Sequence, residues 1–587
     1  MKLRSFFSAL LAVVLVLLLI GGSGFFWLRA RSPLALSQRQ DSLPAATRFV
    51  PRQAPITLSL LINPERLGAF QQAIAAPKDR QRSRTEFNQL QQNLLGNTGL
   101  NYQKDIQPWI GDEVTFAVTT LDIDRQSENG QQPGYLLALA TRNPERSQEF
   151  LELFWQQQAL AGRDLVFEQY QGVKLISAGP RLTDVKSSGK PDKPTPPPLN
   201  SLATARIGRD FVLFANHPKV LRSAINNIQV PDLELSNAKP YQQAVASLEQ
   251  GRIGLAFLNL PELSAWRTQP PKGAEAAEQT SAPVYDSLAI ALGLNRQGLL
   301  AETALMKAAG SETQLSRPLL SRPVQALKYI PATSPLVVAS LNLAQLWSQI
   351  HHSLLGYGLI ADLINPSLQA ATLHWKLDLP QDIFAWVEGE YALAMIPRPL
   401  TLDDRSQVSA DWLFVAESTQ PEKAQSAIKH LDQIAEQQGL GVSPLTLEEQ
   451  KIATWTRLVT QPAQSVLPEP GLKVLGTQVI GAHTTVDDYK ILSTSLEALD
   501  QSLKAPQKSL ADTKIFQQAI APLAQPNHGY LYLDWPGSRP ILEQRFPVLR
   551  AIEVAGSGFF NHLRSLSLSS YGEAAGAQRS QIFIRLF

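Results

Sequence analysis

The chain of 587 residues contains no cysteine, only three methionines and only eight histidines. Without cysteine there can be no disulfide, no thiolate metal site and no cysteine nucleophile. The histidines are scattered, and the adjacent pair His351 and His352 would point about 100° apart on a helix, so the pair lacks the spacing of two metal ligands on one face. Solvated helix residues are the simpler interpretation, and no metal site is predicted.

The chain also lacks an excess of charge of one sign. Charged residues make up 18% of the chain, and the formal net charge is +2. A nucleic-acid partner requires a concentrated basic face, so the composition argues against one. The length is too great for a single hydrophobic core, which predicts two or more domains.

The familiar catalytic motifs are missing from the sequence. There is no G-x-x-x-x-G-K-[ST] phosphate loop, no H-E-x-x-H zinc motif and no G-x-S-x-G nucleophile elbow. The acidic pairs Asp112-Glu113, Asp122-x-Asp124 and Asp487-Asp488 lack the further oxygen ligands or partner residue of a metal or acid–base site. Solvation of turns and strand ends explains them, so we expect a protein that is not an enzyme and has no cofactor.

What the sequence does contain is one long apolar run. After a short tail, residues 1–5, the segment Phe6–Leu28 carries no charge. At about 1.5 Å per residue, a helix of this length crosses a hydrocarbon layer of ~30 Å. A cleaved secretory signal is the alternative, but no small-x-small site follows closely. We therefore predict a transmembrane helix that contacts the lipid bilayer, an exported large domain, and a tether over residues 29–47.

A second feature is a stretch that occurs twice. Tyr241–Pro261 aligns without a gap to Phe516–Pro536, and nine of the 21 positions are identical. The segment Phe49–Pro55 likewise returns as Tyr329–Pro335, and further short matches keep nearly the same spacing. A constant offset of this kind indicates a tandem duplication. We predict repeat 1 over 48–315, a linker over 316–327 and repeat 2 over 328–587.

Within each repeat, runs rich in β-formers lead into amphipathic helices through Asn or Pro junctions such as Asn143-Pro144. Asn can cap a helix and Pro fits its first turn. Asn237 and Asp512 are expected to cap the repeated helix in the same way. Because two strands often precede each helix, we predict an α+β fold of two tandem homologous lobes, each with mainly antiparallel sheet and helices packed on one face. The lobes would meet along a pseudo-two-fold interface with a groove between them.

Two tryptophans and two glutamates are the candidate binding residues. Trp109 and Trp386 occupy matching places in the repeats, and Glu113 and Glu390 follow them four positions later in both. Retention in both copies is consistent with two equivalent binding sites. It more often means that both copies need the same core aromatic, since Trp buries a large area.

The opening F-V-P-x-x-A-P-I-x-L-S-L-L-I-N-P-x-R-L at Phe49–Leu67, behind a single N-terminal span, resembles a cyanobacterial family of single-pass membrane-anchored proteins of unknown function. The resemblance implies a photosynthetic bacterium, with the thylakoid or plasma membrane as host and the large domain on the lumenal or periplasmic side. It brings no catalytic residues. The second copy departs from the motif, because Asn342-Leu343-Ala344 stands where Asn-Pro-Glu is expected.

Together these features favour a membrane-tethered extracytoplasmic binding or scaffold protein with a protein or lipid partner. One alternative is a carrier for an apolar ligand, such as a lipid or pigment, which requires a lined cavity. A second alternative is a carboxylate-based hydrolase, which requires Glu113 or Glu390 to be exposed and close to another titrating group.

Overall fold

The computed structural model describes residues 43–63, 101–126, 131–178, 202–249, 251–265, 284–295, 297–308, 310, 320–353, 372, 376–398, 409–447, 449–462, 473–547, 549–550, 553, 557–574 and 576–586. The predicted anchor Phe6–Leu28 and the tether as far as residue 42 lie outside these ranges. Within them, no helix has the length and apolar character needed to cross a membrane.

The first half of the described chain alternates strands and helices. After a 3-10 helix, Ala45–Phe49, its strands are β1 Ile56–Leu60, β2 Ile110–Thr120, β3 Gly134–Thr141, β4 Leu165–Tyr170, β5 Val173–Ala178, β6 Ala203–Ile207, β7 Phe211–Ala215, β8 Gly254–Asn259, β9 Tyr285–Asn295 and β10 Gly298–Lys307. Its helices are α1 Pro144–Leu160, α2 Pro218–Gln229, α3 Lys239–Ala246 and α4 Leu260–Ala265.

The second half has the same kinds of element. After a 3-10 helix, Gln325–Tyr329, its strands are β11 Leu336–Leu341, β12 Glu390–Pro397, β13 Ala410–Glu417, β14 Gly441–Leu447, β15 Gln450–Pro462, β16 Lys473–Val486, β17 Tyr489–Ser493, β18 Gly529–Asp534, β19 Ser565–Ala574 and β20 Ala577–Arg585. Its helices are α5 Leu343–Ser353, α6 Pro421–Gln437, α7 Leu496–Lys504, α8 Lys514–Ile520, α9 Trp535–Arg545 and α10 Ser557–Phe560.

Strand pairing follows the same order in both halves. In the first half the order is β4-β5-β6-β7-β3-β2-β1-β8-β9-β10, and in the second it is β14-β15-β16-β17-β13-β12-β11-β18-β19-β20. Each of these pairings is antiparallel. β10 also pairs antiparallel with β20, which joins both halves into one sheet of 20 strands. The protein is therefore mostly antiparallel sheet with helices, as an α+β fold requires.

Helices cover both faces of the sheet, so the prediction of helices on one face is wrong. On β3, Leu136 and Ala138 pack in a cluster with α2 and α3, whereas Leu139 packs with Phe150 and other residues of α1. Successive strand residues point to opposite faces. Apolar residues on both faces are what a sheet needs when both sides are covered.

The two halves meet through a strand ladder and a shared core. In the ladder, Glu302 of β10 lies opposite Gln581 of β20. The shared core contains Leu60 and Leu299 from the first half and Trp535 and Ile584 from the second. We expected a groove between the lobes, but at this ladder the two halves are joined by the paired strands β10 and β20. Part of the predicted linker also belongs to the second core, where Leu320, Val324, Ala326 and Leu327 are buried.

The Asn-Pro junction before α1 caps the helix as predicted, because the Asn143 side chain accepts from the Arg146 N–H at 3.0 Å. The predicted caps Asn237 and Asp512 are wrong. The N-cap of α3 is Ala238, which has no side-chain hydrogen bond, and the N-cap of α8 is Thr513. Short 3-10 turns before both helices shift each start by one residue.

Helix α2 has a cap that titrates. Nδ1 of His217 accepts from the Lys219 N–H at 3.1 Å. Burial lowers the pKa of His217 below its ordinary 6.5, and the charges of Lys219 and Arg222 lower it further. A group with a lowered folded-state pKa stabilises the fold above its unfolded pKa, and this contribution is lost as the pH falls through the folded value.

We therefore expect acidification from pH 7.5 to about pH 5 to remove this cap, at a cost of about 1 kcal/mol in the free energy of unfolding. Urea unfolding of the wild type and of His217→Asn at both pH values measures it, because Asn keeps an acceptor without titrating. The acid-induced loss should be smaller in the variant. An equal loss in both proteins would contradict the assignment.

Candidate functional site

The two candidate tryptophans are core residues. Trp109 is 1% exposed, stacks at a tilt on Phe150 with ring centroids 5.4 Å apart, and donates from Nε1 to the Asp105 carbonyl at 2.6 Å. Trp386 is 7% exposed and packs in a cluster with Tyr391 and Ala424. Both indoles therefore help to hold a helix, α1 or α6, against the sheet.

The two candidate glutamates each hold the start of a 3-10 helix. Glu113 accepts from the N–H groups of Ala45 and Ala46 at 3.0 and 2.7 Å. In the second half Glu390 accepts from Gln325 and Ala326 at 2.5 and 3.2 Å. Burial raises the pKa of Glu113, while the two N–H donors oppose that rise. The carboxylates satisfy helix N–H groups that would otherwise lack a partner.

The structure does not bring each Trp–Glu pair together as one site. Trp109 packs with α1, whereas Ala46, which Glu113 binds, packs in the cluster that contains α2 and α3. The spacing that the two copies share thus reflects two separate contacts that both folds need.

A cleft of about 540 Å³ opens elsewhere in the first half, where the end of β8 and the start of β9 approach the turn before β1. Its lining combines charged, amide and apolar side chains. They are Arg52, Gln53, Asp232, Asn237, Ala238, Lys239, Pro240, Phe257, Asn259, Pro261, Asp286 and Ser287.

Backbone hydrogen bonds fix the frame of this cleft. The Arg52 N–H donates to the Leu233 carbonyl at 2.8 Å, and the Asn259 N–H donates to the Pro55 carbonyl at 2.9 Å. Below the floor, the rings of Tyr241 and Phe257 meet edge to face at 5.1 Å, and both are almost fully buried. The shape of the cleft is therefore fixed by backbone hydrogen bonds and buried aromatic rings and not by exposed side chains.

The cleft walls carry charges of both signs. Arg52 and Lys239 are exposed, whereas Asp286 is half-buried and accepts from the Ser287 hydroxyl at 3.0 Å. Burial raises the pKa of Asp286, and the bonds from Ser287 oppose the rise. Within the part of the chain that the structure describes, none of the three forms an ion pair. These charges remain available to a ligand.

The second half repeats the backbone contacts that surround the cleft but carries different side chains there. The Asp534 N–H donates to the Pro335 carbonyl at 2.7 Å, as Asn259 does to Pro55, and Asp534 pairs with Ser565 as Asn259 pairs with Ser287. By sequence alignment Ala332 stands in place of Arg52, and Arg564 in place of Asp286.

In the second half, the acidic residue at this place is Asp534, and it already has local partners. Burial raises the pKa of Asp534, whereas the Gly537 N–H and the nearby Arg564 oppose the rise. That N–H donates to Asp534 at 2.9 Å and caps α9. The charge arrangement of the first-half cleft is thus not repeated.

Sequence reasoning missed Arg52, Lys239 and Asp286. The signal that could have found two of them is a change of charge inside an otherwise repeated segment, namely Arg52 against Ala332 and Asp286 against Arg564. For a metal, the residues that the structure covers contain no group of three or more His, Asp or Glu side chains able to hold an ion.

No curated protein matches the chain. Four solved chains do, including those described as "Structure of crystal form I of TP0453" and "Structure of crystal form III of TP0453". Both are 9% identical; the matches cover 46% and 47% of this chain and 82% and 83% of those chains, with TM-scores of 0.24 and 0.23. Scores this low support no conclusion about fold or function.

A family model gives a clear result. The model described as "Protein of unknown function (DUF3352)" matches residues 10–586, which is nearly the whole chain. The motif at Phe49–Leu67 predicted a family of unknown function, and this part of the prediction is confirmed. The chain belongs to the family of proteins of unknown function DUF3352.

Proposed function

We propose that the protein is a non-enzymatic binding protein, tethered to a membrane by Phe6–Leu28, with its folded part on the lumenal or periplasmic side. We further propose that its two halves arose by tandem duplication. The common strand order of the halves supports this, as do the nine identities between Tyr241–Pro261 and Phe516–Pro536.

The observation that carries the proposal is the cleft in the first half. Its frame recurs in the second half, and Lys239 has the counterpart Lys514, but Ala332 and Arg564 stand where the first half has the unpaired Arg52 and Asp286. Clefts of several hundred Å³ with a few polar groups are typical ligand sites. After a duplication, one half is free to keep the scaffold while the other acquires a ligand site.

The two alternatives fit the geometry less well. A carboxylate hydrolase needs a free acid, but Glu113 and Glu390 each accept from two backbone N–H groups. A carrier for an apolar molecule needs an apolar lining, whereas the cleft presents Arg52, Lys239 and Asp286. A protein or lipid partner on another surface stays a prediction.

Because the chain has no cysteine, one introduced thiol reports a single position. We expect Gln53→Cys, at the cleft, and Thr333→Cys, its exposed counterpart, both to react with a membrane-impermeant maleimide in intact vesicles that expose the periplasmic or lumenal face, namely right-side-out plasma-membrane vesicles or inside-out thylakoid vesicles. A small-molecule extract of the producing cells should slow labelling of the Gln53→Cys variant at least threefold and leave the Thr333→Cys variant unchanged.

The two readouts separate the two parts of the proposal. Labelling that requires lysis of the vesicles would contradict the assigned side of the membrane. The extract could instead leave the labelling rate of both variants unchanged, or slow both equally. Either result would contradict a ligand site in the first-half cleft. A lysed-vesicle sample supplies the maximum labelling for each variant.

A further inference from the structure

We propose that the first-half cleft binds a zwitterionic small molecule, such as an amino acid or short peptide with free amino and carboxyl groups and an apolar side chain. This inference rests on the proposed function, since it names the ligand class of that same cleft. The cavity and the arrangement of its charged walls carry it.

The basic side chains of the cleft suit a carboxylate. Arg52 and Lys239 both line the cleft and are exposed. The exposed Asp232 lines it too, but neither cation forms an ion pair with it or with another acid in the described residues. A guanidinium offers two parallel N–H donors that match the two oxygens of a carboxylate. The Arg52 backbone is held in place by its hydrogen bond to Leu233, so the side chain starts from a fixed point.

The acidic side chain Asp286 suits an ammonium group. Asp286 is half-buried and accepts from the Ser287 hydroxyl and from the backbone N–H groups of Asp286 and Ser287. A carboxylate has about four lone-pair sites, so acceptor capacity is left for a ligand. A partly desolvated carboxylate without a counter-ion gains from a cation placed beside it. Nδ2 of Asn237 already donates to the Pro231 carbonyl and to Glu234, and Oδ1 of Asn259 accepts from the Glu262 N–H. The Asn237 Oδ1 and the Asn259 Nδ2 can still orient a second polar group.

The floor suits an apolar side chain. Phe257 is 3% exposed and lies under the cleft, with Ala238, Pro240 and Pro261 around it. The volume of about 540 Å³ lies in the range of small-molecule sites. A ligand with two opposite charges and an apolar body therefore meets a complementary surface at each of its parts.

A ligand of one charge fits the cleft less well. A simple anion would satisfy Arg52 and Lys239 but would leave Asp286 without a partner and repelling it. A simple cation would do the reverse. Like-charge contacts of this kind are the usual means by which a site rejects the wrong ligand.

The test uses the full chain in lipid nanodiscs and isothermal titration with the dipeptide Leu-Phe as the probe. We expect saturable binding of the free dipeptide and at least tenfold weaker binding of its N-acetyl and C-amide forms. Arg52→Ala and Asp286→Asn should each weaken binding of the free dipeptide at least fivefold. Lys514→Ala, at the matching place on α8, is the control and should bind as the wild type does.

The outcomes distinguish this inference from the proposed function. If the blocked dipeptides bind as tightly as the free one, or if neither the free dipeptide nor free phenylalanine binds, the zwitterion class is overturned, while protection of the Gln53→Cys variant still supports a ligand site. If binding survives both Arg52→Ala and Asp286→Asn, the assignment to this cleft is overturned. Free phenylalanine, titrated in parallel, separates a single amino acid from a peptide as the ligand.

Discussion

Replacing Gly529 by alanine is expected to lower the free energy of unfolding by about 3 kcal/mol or more. Gly529 begins β18 with φ +119°, a region that L-residues rarely adopt. A Cβ there would also overlap the carbonyl oxygen of Ala339 and the backbone of Ser340 on the neighbouring strand β11. Neither partner can move without breaking the ladder that ties β11 to β18. Urea unfolding followed by tryptophan fluorescence measures the loss.

The first half supplies a matched control. Gly254 is the aligned counterpart of Gly529 and begins β8, but a Cβ at that position meets only ordinary contacts, 3.6 Å from Leu292 Cβ and from the Ser59 carbonyl oxygen. We expect Gly254→Ala to change the free energy of unfolding by less than about 1 kcal/mol. Similar losses in the two variants would show that the close approach at Gly529 is not what the fold requires.

The same two glycines show how far the sequence could predict the fold. Tyr241–Pro261 and Phe516–Pro536 share Gly254 and Gly529, and the structure has each glycine at the start of a strand. Local pattern carries that information because strand and helix periods are read residue by residue. It does not carry the backbone dihedral or the distance to a neighbouring strand, which depend on residues nearly 200 positions away, such as Ala339.

The wrong prediction that helices cover only one face of the sheet has a similar cause. The run Tyr135-Leu136-Leu137-Ala138-Leu139 is apolar throughout, and a run without polar alternation indicates a strand covered on both faces. The sequence thus held a signal for two helix layers. Which helix covers which face is decided by tertiary packing and could not be predicted from the run alone.

For the site, reasoning from the sequence identified residues with a structural role and missed the residues of the proposed ligand site. Residues that both copies retain, such as Trp109 and Glu113, drew attention because they recur. The structure places them in contacts that any copy of the fold needs, with the core and with a helix start. The ligand site that we propose includes Arg52 and Asp286, which differ from Ala332 and Arg564 at the aligned positions, so a search for residues that both halves retain passes over it.

Removing Arg579 should cost about 3–5 kcal/mol of unfolding free energy, since it would break the ion pair of the buried carboxylate Glu302 with Arg579. Glu302 is 1% exposed and lies in the ladder that joins the two halves. Arg579 donates from Nη2 to Glu302 and from Nη1 to Glu249, both at 2.7 Å, and its guanidinium lies over the ring of Tyr571. Arg579→Met keeps much of the volume and removes the charge, and urea unfolding measures the effect.

The control comes from the residue that faces Glu302 across this ladder. Counted from the hairpin pairs Leu288–Leu305 and Leu566–Ile584, Glu302 and Gln581 occupy the same position and lie opposite each other. Each accepts a backbone N–H from its own half, Glu302 from Glu249 at 2.8 Å and Gln581 from Ala524 at 2.7 Å.

A neutral amide is therefore already accommodated at this position of the ladder, and Glu302→Gln should be tolerated once Arg579 is gone. We expect the double variant Arg579→Met with Glu302→Gln to recover at least half of the stability that Arg579→Met loses, because no unpaired charge stays buried. A double variant no more stable than Arg579→Met would mean that packing against Tyr571, and not the charge pair, accounts for the effect of Arg579.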